Sequence, residues 1–445
     1  MDGSLSLHPP AAQKGWLDRT LSIFAPVGAG EGTTSLLLAA NVFLLLASYY
    51  ILKTVRESLI LTEGGAEVKS YSAAGQALLL LLVVPAYGAF ASKVNRIRLI
   101  TWVTLFFISH LVIFYFLGAG GVRVGVAFFL WVGIFNVLVI AQFWAFANDV
   151  YTEEQGKRLF AIVGVGSSLG AWVGAYIAGV LFSRFGPFQL MLLSAVLLFA
   201  CVGVSYVVNR REAANQGPQG RHTQEPLGKE GGFQLVLKSR YLSLIALLIV
   251  VLNLVNTTGE FLLGKLVVEA ANRAVALSAN SEGLKKAFIG EFYGNFFSWV
   301  NLLGLLFQLL LVSRIFKYIG VRGALFILPC IAFGSYGFLI AVPALAVVRI
   351  AKVLENSTDY SIQNTARHAL FLPTGREAKY KAKAAIDTFF WRAGDLLQAG
   401  VVFLGTRAAL DISGFAGLNL IFVVLWLLIV AFLYREHKRL TPASG

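Results

Sequence analysis

The sequence is poor in charge, cysteine, methionine and histidine. Only 13% of its 445 residues are Asp, Glu, Lys or Arg, about half the share of an ordinary soluble domain. That scarcity excludes a water-soluble enzyme and a disordered or fibrous chain. There are 2 Cys, 2 Met and 5 His. Cys201 and Cys330 lie far apart in apolar stretches, at no spacing that suggests a disulfide framework or a metal centre. His8, His110, His222, His368 and His437 are scattered, so no His metal cluster is expected. No nucleophile constellation and no phosphate-binding loop after a strand is present. Neither an enzyme nor a cofactor is expected.

What the chain does have is apolar length. It contains 35 Phe and 44 Gly, and its mean hydropathy is +0.73. With Gly counted in place of Tyr, the apolar share is about 64%, against about 45–50% in soluble domains. A bilayer core needs about 20 apolar residues per helix. Spans of that kind are predicted near 34–55, 71–91, 98–117, 124–148, 159–183, 188–208, 241–267, 287–312, 320–341, 344–366, 383–406 and 415–434. The runs are too long for barrel strands, and open sheet cannot cross lipid. The expected fold is an all-α polytopic membrane protein with twelve transmembrane helices in two six-helix halves.

Charge then orients the chain. With the N-terminus inside, 24 Lys and Arg fall in cytoplasmic segments, 9 on the opposite side and 4 within spans. This bias puts both termini in the cytoplasm, with a bacterial inner membrane as the expected location. It also explains the net charge of +14 without a nucleic-acid partner. Residues 1–33 form the expected N-terminal tail, within which Gly15 to Phe24 is either a short interfacial helix or loosely ordered chain. No secretory leader is evident there. Residues 34–208 and 241–434 are the two halves, 435–445 the cytoplasmic C-terminal tail. Between the halves, 209–240 is rich in Gly, Gln and Pro and is expected to be a flexible cytoplasmic linker.

The halves carry weak internal repetition, a transporter signature. Span 2 runs into Ser92-Lys93-Val-Asn-Arg96-Ile-Arg98. Span 8 runs into Ser313-Arg314-Ile-Phe-Lys317-Tyr-Ile-Gly320-Val-Arg322. Gly88 before Ser92-Lys93 resembles the loop signature of the major facilitator superfamily, with Ser92 in its acidic position.

An ionisable side chain inside a span costs several kcal/mol unless it meets a partner or water. Here such residues concentrate in spans 1, 4, 7, 10 and 11, while spans 2, 6, 9 and 12 are almost clean. Spans 1, 4, 7 and 10 are the ones that line the cavity in a transporter resembling the major facilitator fold. Lys53, Arg56 and Glu57 fall at i, i+3 and i+4 on one face of span 1. They are either an anion-binding face or a snorkelling cluster at a helix end. Asn148 and Asp149 either contact a ligand or cap span 4. Gly166, Gly170 and Gly174 recur every four residues in span 5, as close helix packing requires. Span 7 carries Asn253, Asn256 and Glu260 on one face, with Thr257, Thr258 and Lys265. Span 10 carries Arg349, Lys352, Glu355, Asn356, Asp359 and Gln363 in one stripe, a ladder in which Arg349 and Lys352 can pair with Glu355 and Asp359 to gate or relay charge. Span 11 carries Asp387, Arg392, Asp395 and Gln398.

At these residues the chain resembles the bacterial and plastid ATP/ADP translocase family. Tyr50-Ile-Leu-Lys53-Thr-Val-Arg56-Glu57-Ser58-Leu59 is similar to its Ile-Leu-Arg-x-x-Lys-Asp-x-Leu pattern. Phe143-Trp144-Ala-Phe-Ala-Asn148-Asp149 with Lys157-Arg158-Leu-Phe160 resembles its Phe-Trp-x-Phe-Ala-Asn segment. Asn253-Leu-Val255 and Lys383-Ala-Ala-Ile-Asp387 resemble two further runs. The resemblance implies an alternating-access transporter for a nucleotide or similar anionic solute, embedded in a lipid bilayer. Lys53, Arg56 and Arg392 would then contact phosphate. Asn148, Asp149 and Asn256 would contact polar atoms, and Glu260, Asp359 and Asp395 would balance charge or relay protons. Two departures stand out. Asn256 occupies a place where the family has Glu, and Asp395 a place where it has Lys. They predict something other than ordinary ATP/ADP exchange. The alternatives are a proton-coupled carrier for another solute, and a membrane scaffold or sensor that transports nothing.

Overall fold

The structure, a computed structural model, describes residues 14–23, 25–91, 94–215, 231–276, 278, 280–375 and 377–440. Ser92, Lys93, Arg221, Lys229 and Arg376 lie outside them, as does the middle of the expected linker, 216–230. No strand occurs among the described residues.

The helices are, in chain order, α1 (Trp16–Leu21), α2 (Glu31–Glu63), α3 (Gly65–Ala91), α4 (Arg96–Ala119), α5 (Gly125–Val150), α6 (Glu153–Asn215), α7 (Gly232–Lys238) and α8 (Arg240–Val275). Then follow α9 (Ser281–Leu310), α10 (Val312–Ala324), α11 (Ile327–Ala341), α12 (Leu345–Thr358), α13 (Asn364–Ala369), α14 (Lys383–Ala385), α15 (Trp391–Arg407) and α16 (Ile412–Leu440). Wider π-helical turns at Asp359–Gln363, Ala378–Ala382 and Ile386–Phe390 join the pieces around α12 to α15. Such turns inside helices gather at functional sites.

Among the described residues, seven helices (α2, α3, α4, α5, α6, α8 and α16) are individually long and apolar enough to cross a bilayer. The protein is a multi-pass membrane protein. The α6 helix is broken at Gly186 (φ 75, ψ 178), with Pro187 after it. Only glycine reaches that backbone region without strain, so the chain reverses between expected spans 5 and 6 there. A second break at Gly320 (φ 68, ψ 177) separates the amphipathic start of α10 from the run into α11. Together α9 and α10 bend by 77°. The ends of the expected linker are helical, since α6 continues to Asn215 and α7 precedes α8. The expected interfacial segment contains α1, whose Asp18 accepts hydrogen bonds from Gly30 N (3.0 Å) and Gly32 N (2.9 Å) at the start of α2.

Packing follows the glycine stripe. A side chain at Gly166, Gly170 or Gly174 would run into the backbone of Ala39, Phe43 or Ala47 on α2. The two halves meet where α3 packs on α15 and where α6 packs on α9. At the second contact Gly179 and Gly294 touch backbone to backbone. Outward faces carry exposed Leu82, Trp102, Phe116, Phe199 and Ile421, the surface a lipid-facing protein presents.

Candidate functional site

Between the halves lies a cavity of about 210 Å³. The C-terminal third of α2 brings Lys53, Arg56 and Glu57 to it. The first turns of α3 bring Lys69 and Ser70, and the middle of α8 brings Asn256 and Glu260. Phe129, Phe297, Asn356, Tyr360 and Gln398 complete the wall.

Its charges form an alternating chain. Arg56 Nη2 lies 2.5 Å from Glu57 Oε1, and Lys69 Nζ lies 2.6 Å from Glu57 Oε2. Lys69 also reaches Glu260 across the interface at 3.9 Å. Glu260 stands 3.7 Å from Lys352 and accepts a hydrogen bond from Asn356 at 2.9 Å. Lys352, with 0% of its side chain exposed, ends the chain 3.1 Å from Glu355. Each desolvated charge needs its neighbour, because an uncompensated ion in such a place costs several kcal/mol.

Lys53 stands outside the chain. It makes no ion pair among the described residues. Its ammonium lies 4.3 Å from the ring centroid of Phe297 and 5.2 Å from that of Tyr50, and donates at 3.5 Å to the Tyr360 hydroxyl. Aromatic faces stabilise a cation without neutralising it. The positive charge of Lys53 is therefore available to a ligand.

At the end of the cavity where α2 and α8 terminate, the halves are latched. Ser58 Oγ donates to Lys286 O (2.7 Å), Gln398 to Ser70 Oγ (3.1 Å), and Lys265 pairs with Glu67 at 3.6 Å.

The structure gathers Lys53, Arg56, Glu57, Asn256 and Glu260 around one cavity. Asn256 sits beside the central ammonium, its Oδ1 accepting from Lys352 at 2.6 Å. Glu260, one turn further along α8, provides the carboxylate there. Asn148 and Asp149 lie at the far end of α5, exposed, with Asp149 paired to Arg96 at 2.8 Å. Arg392 and Asp395 pair with each other at 3.2 Å. Asp395 also accepts from Asn253 at 2.7 Å, and neither residue is in the cavity wall. Of the expected ladder, only the Lys352–Glu355 pair is found among the described residues. Arg349 turns to Asn295 at 2.6 Å, and Asp359 lies in a different pocket.

Sequence reasoning missed Lys69. The hydropathy edge at residue 71 left it in a loop, whereas α3 begins at Gly65. The available signal was Lys69, Ser70 and Ala73, which share one helical face. Phe297 and Tyr360 were also missed, as aromatics in an aromatic-rich membrane chain.

Two helical halves enclose one charged central cavity. A solved bacterial homologue of the iron transporter ferroportin has this fold, with a TM-score of 0.65 at 14% identity over 90% of this chain and 98% of that one. At such identity the likeness shows the fold alone. The profile described as TLC ATP/ADP transporter matches residues 127–437, and the chain belongs to that family. It is 24% identical to "ADP,ATP carrier protein 4" of Rickettsia bellii, over 68% of this chain and 65% of the relative. It is 23% identical to "ADP,ATP carrier protein 5" of the same organism, over 91% and 94%. The first alignment thus spans under two thirds of that relative's own length.

Proposed function

We propose that the protein is a nucleotide transporter working by alternating access. The observation that carries this reading is Lys53, an ammonium without an acid partner in a cavity between two halves. A phosphate group is the complementary ligand, and the flat faces of Phe129, Phe297 and Tyr360 suit a nucleobase. Arg56 acts through Glu57, holding it in place for Lys69. Asn256 and Glu260 position Lys352. The relatives' names support a nucleotide as the substrate. Asp395 is tied to Arg392 and Asn253 away from the cavity, so it does not oppose a polyanion there.

The test is counterflow in proteoliposomes. Labelled ATP, ADP, AMP and an unrelated anion are offered to vesicles loaded with each unlabelled compound. Trans-stimulation by a nucleotide is the expected result. Its absence for every nucleotide would leave a scaffold or sensor as the better reading. One-for-one ATP/ADP exchange would show that Asn256 and Asp395 do not redirect substrate choice.

The proposed orientation has both termini in the cytoplasm of a bacterial cell, the latched end of the cavity facing outward. Protease should cut within 209–240 in inverted vesicles and spare right-side-out ones. The reverse accessibility would overturn this topology.

A further inference from the structure

The end of the protein that carries the linker also carries a groove remote from the substrate cavity. Ala431, Tyr434, Arg435 and Lys438 fall at i, i+3, i+4 and i+7, on one face of α16. With Phe326, which leads into α11, they line an open space of about 420 Å³, far more than a few waters need. The linker end is marked by Arg240, the first residue of α8, which reaches Glu436 on α16 at 3.5 Å.

The cations of this groove are unspent. Arg435 and Lys438 are exposed and make no ion pair among the described residues. Arg322, in the last turn of α10, sets its guanidinium 5.4 Å from the ring centroid of Tyr434. Its Nη1 is buried without a hydrogen-bond partner. The Tyr434 ring packs in turn on Phe326, with centroids 6.3 Å apart. The neighbouring acid, Glu436, is engaged elsewhere, with Arg240 at 3.5 Å and Arg439 at 3.0 Å.

The groove also straddles the edge of the bilayer. Towards the middle of α16 the same face continues as exposed Leu428 and Val424, within the apolar span. Towards the chain end it becomes Arg435 and Lys438. Beside it α10 turns away from α9 by 77° and exposes Tyr318 and Ile319 next to Lys317, the mixture a helix lying in the membrane surface presents. Snorkelling at a helix end accounts for Arg435 and Lys438. It accounts neither for the hollow beside them nor for Arg322, held on an aromatic face with an N–H to spare. A soluble phosphate would meet the cations and leave the apolar floor wet. A lipid phosphate satisfies both halves.

We propose that this groove binds the headgroup of an anionic phospholipid. Arg435, Lys438 and Nη1 of Arg322 hold the phosphate, as clustered cations at a membrane surface do. The acyl chains leave over Phe326 and Ala431 along Leu428 and Val424. The site does not depend on what the substrate cavity carries.

Native mass spectrometry of the full chain, released from detergent with added phosphatidylglycerol or phosphatidylcholine, tests this. Wild type should retain one phosphatidylglycerol and not phosphatidylcholine. Each near-surface cation strengthens the hold on an anionic lipid about fivefold, so Arg435→Gln with Lys438→Gln should weaken retention roughly twenty-five-fold. Both residues are exposed, so the variant should stay monodisperse. Ala431→Trp keeps every cation and fills the hollow, and it should also expel the lipid. Retention unchanged in the double variant overturns the site. Equal retention of phosphatidylcholine would make the groove merely apolar, and retention that survives Ala431→Trp would make the attraction a surface charge without a groove. Displacement of the lipid by millimolar glycerol phosphate would show a site for free phosphate instead. Each of these outcomes sinks the proposal.

Discussion

Replacing Lys352 by Met is expected to cost the protein a large part of its stability. The side chain is entirely enclosed, and its ammonium serves Glu260 at 3.7 Å, Glu355 at 3.1 Å and Asn256 Oδ1 at 2.6 Å. Met fills a similar volume, so the loss is electrostatic rather than steric. It leaves two carboxylates facing each other's field. Breaking a buried pair from one side costs about 3–5 kcal/mol, a large part of the roughly 5–15 kcal/mol that holds a typical domain. The thermal midpoint and monodispersity of solubilised protein report it. Lys352→Met with Glu355→Gln should recover part of the loss, because one orphaned charge goes with the cation. A midpoint unchanged in the single variant would mean that water already solvates this cluster.

The effect at Lys53 should be of another kind. This cation has no acid to abandon, so Lys53→Gln should leave assembly intact and weaken substrate binding. A charged hydrogen bond contributes about 1.5–3 kcal/mol, which is roughly tenfold or more in affinity. Half-saturation for nucleotide should rise accordingly, and Lys53→Arg should retain much of the wild-type value. Arg56→Gln makes the contrast, since it strips a partner from Glu57 and should lower stability as well. Equal half-saturation in wild type and Lys53→Gln would show that the ammonium only rests on its aromatic neighbours.

That division of labour between Lys53 and Arg56 was only half legible in the sequence. The shared face follows from spacing alone, as does the glycine stripe at 166, 170 and 174. Both depend on local helical geometry, which the chain encodes within a few residues. Which basic residue is neutralised depends on Lys69, from a neighbouring helix and beyond the apolar run. Nothing local to residues 53–57 reveals that. Arg392 and Asp395 show the same boundary. Their spacing announces a pair, but the side to which the pair turns is set by Asn253 on α8. In span 10, a constant 100° step placed Arg349 through Gln363 in one stripe. The stripe is wide enough to be split: Asn356 and Tyr360 face the cavity, while Glu355 and Asp359, about 100° away on the same helix, line the pocket behind it.

The meeting of Gly179 with Gly294 has a mechanical meaning. Two bare backbones in contact have no side-chain teeth to disengage, so the surfaces can roll like a bearing as one half tilts on the other. Resistance to tilting then resides away from the axle, in the ion pair between Lys69 and Glu260. A load applied there acts through a lever arm, and a ligand that competes for either charge loosens the joint without touching the pivot.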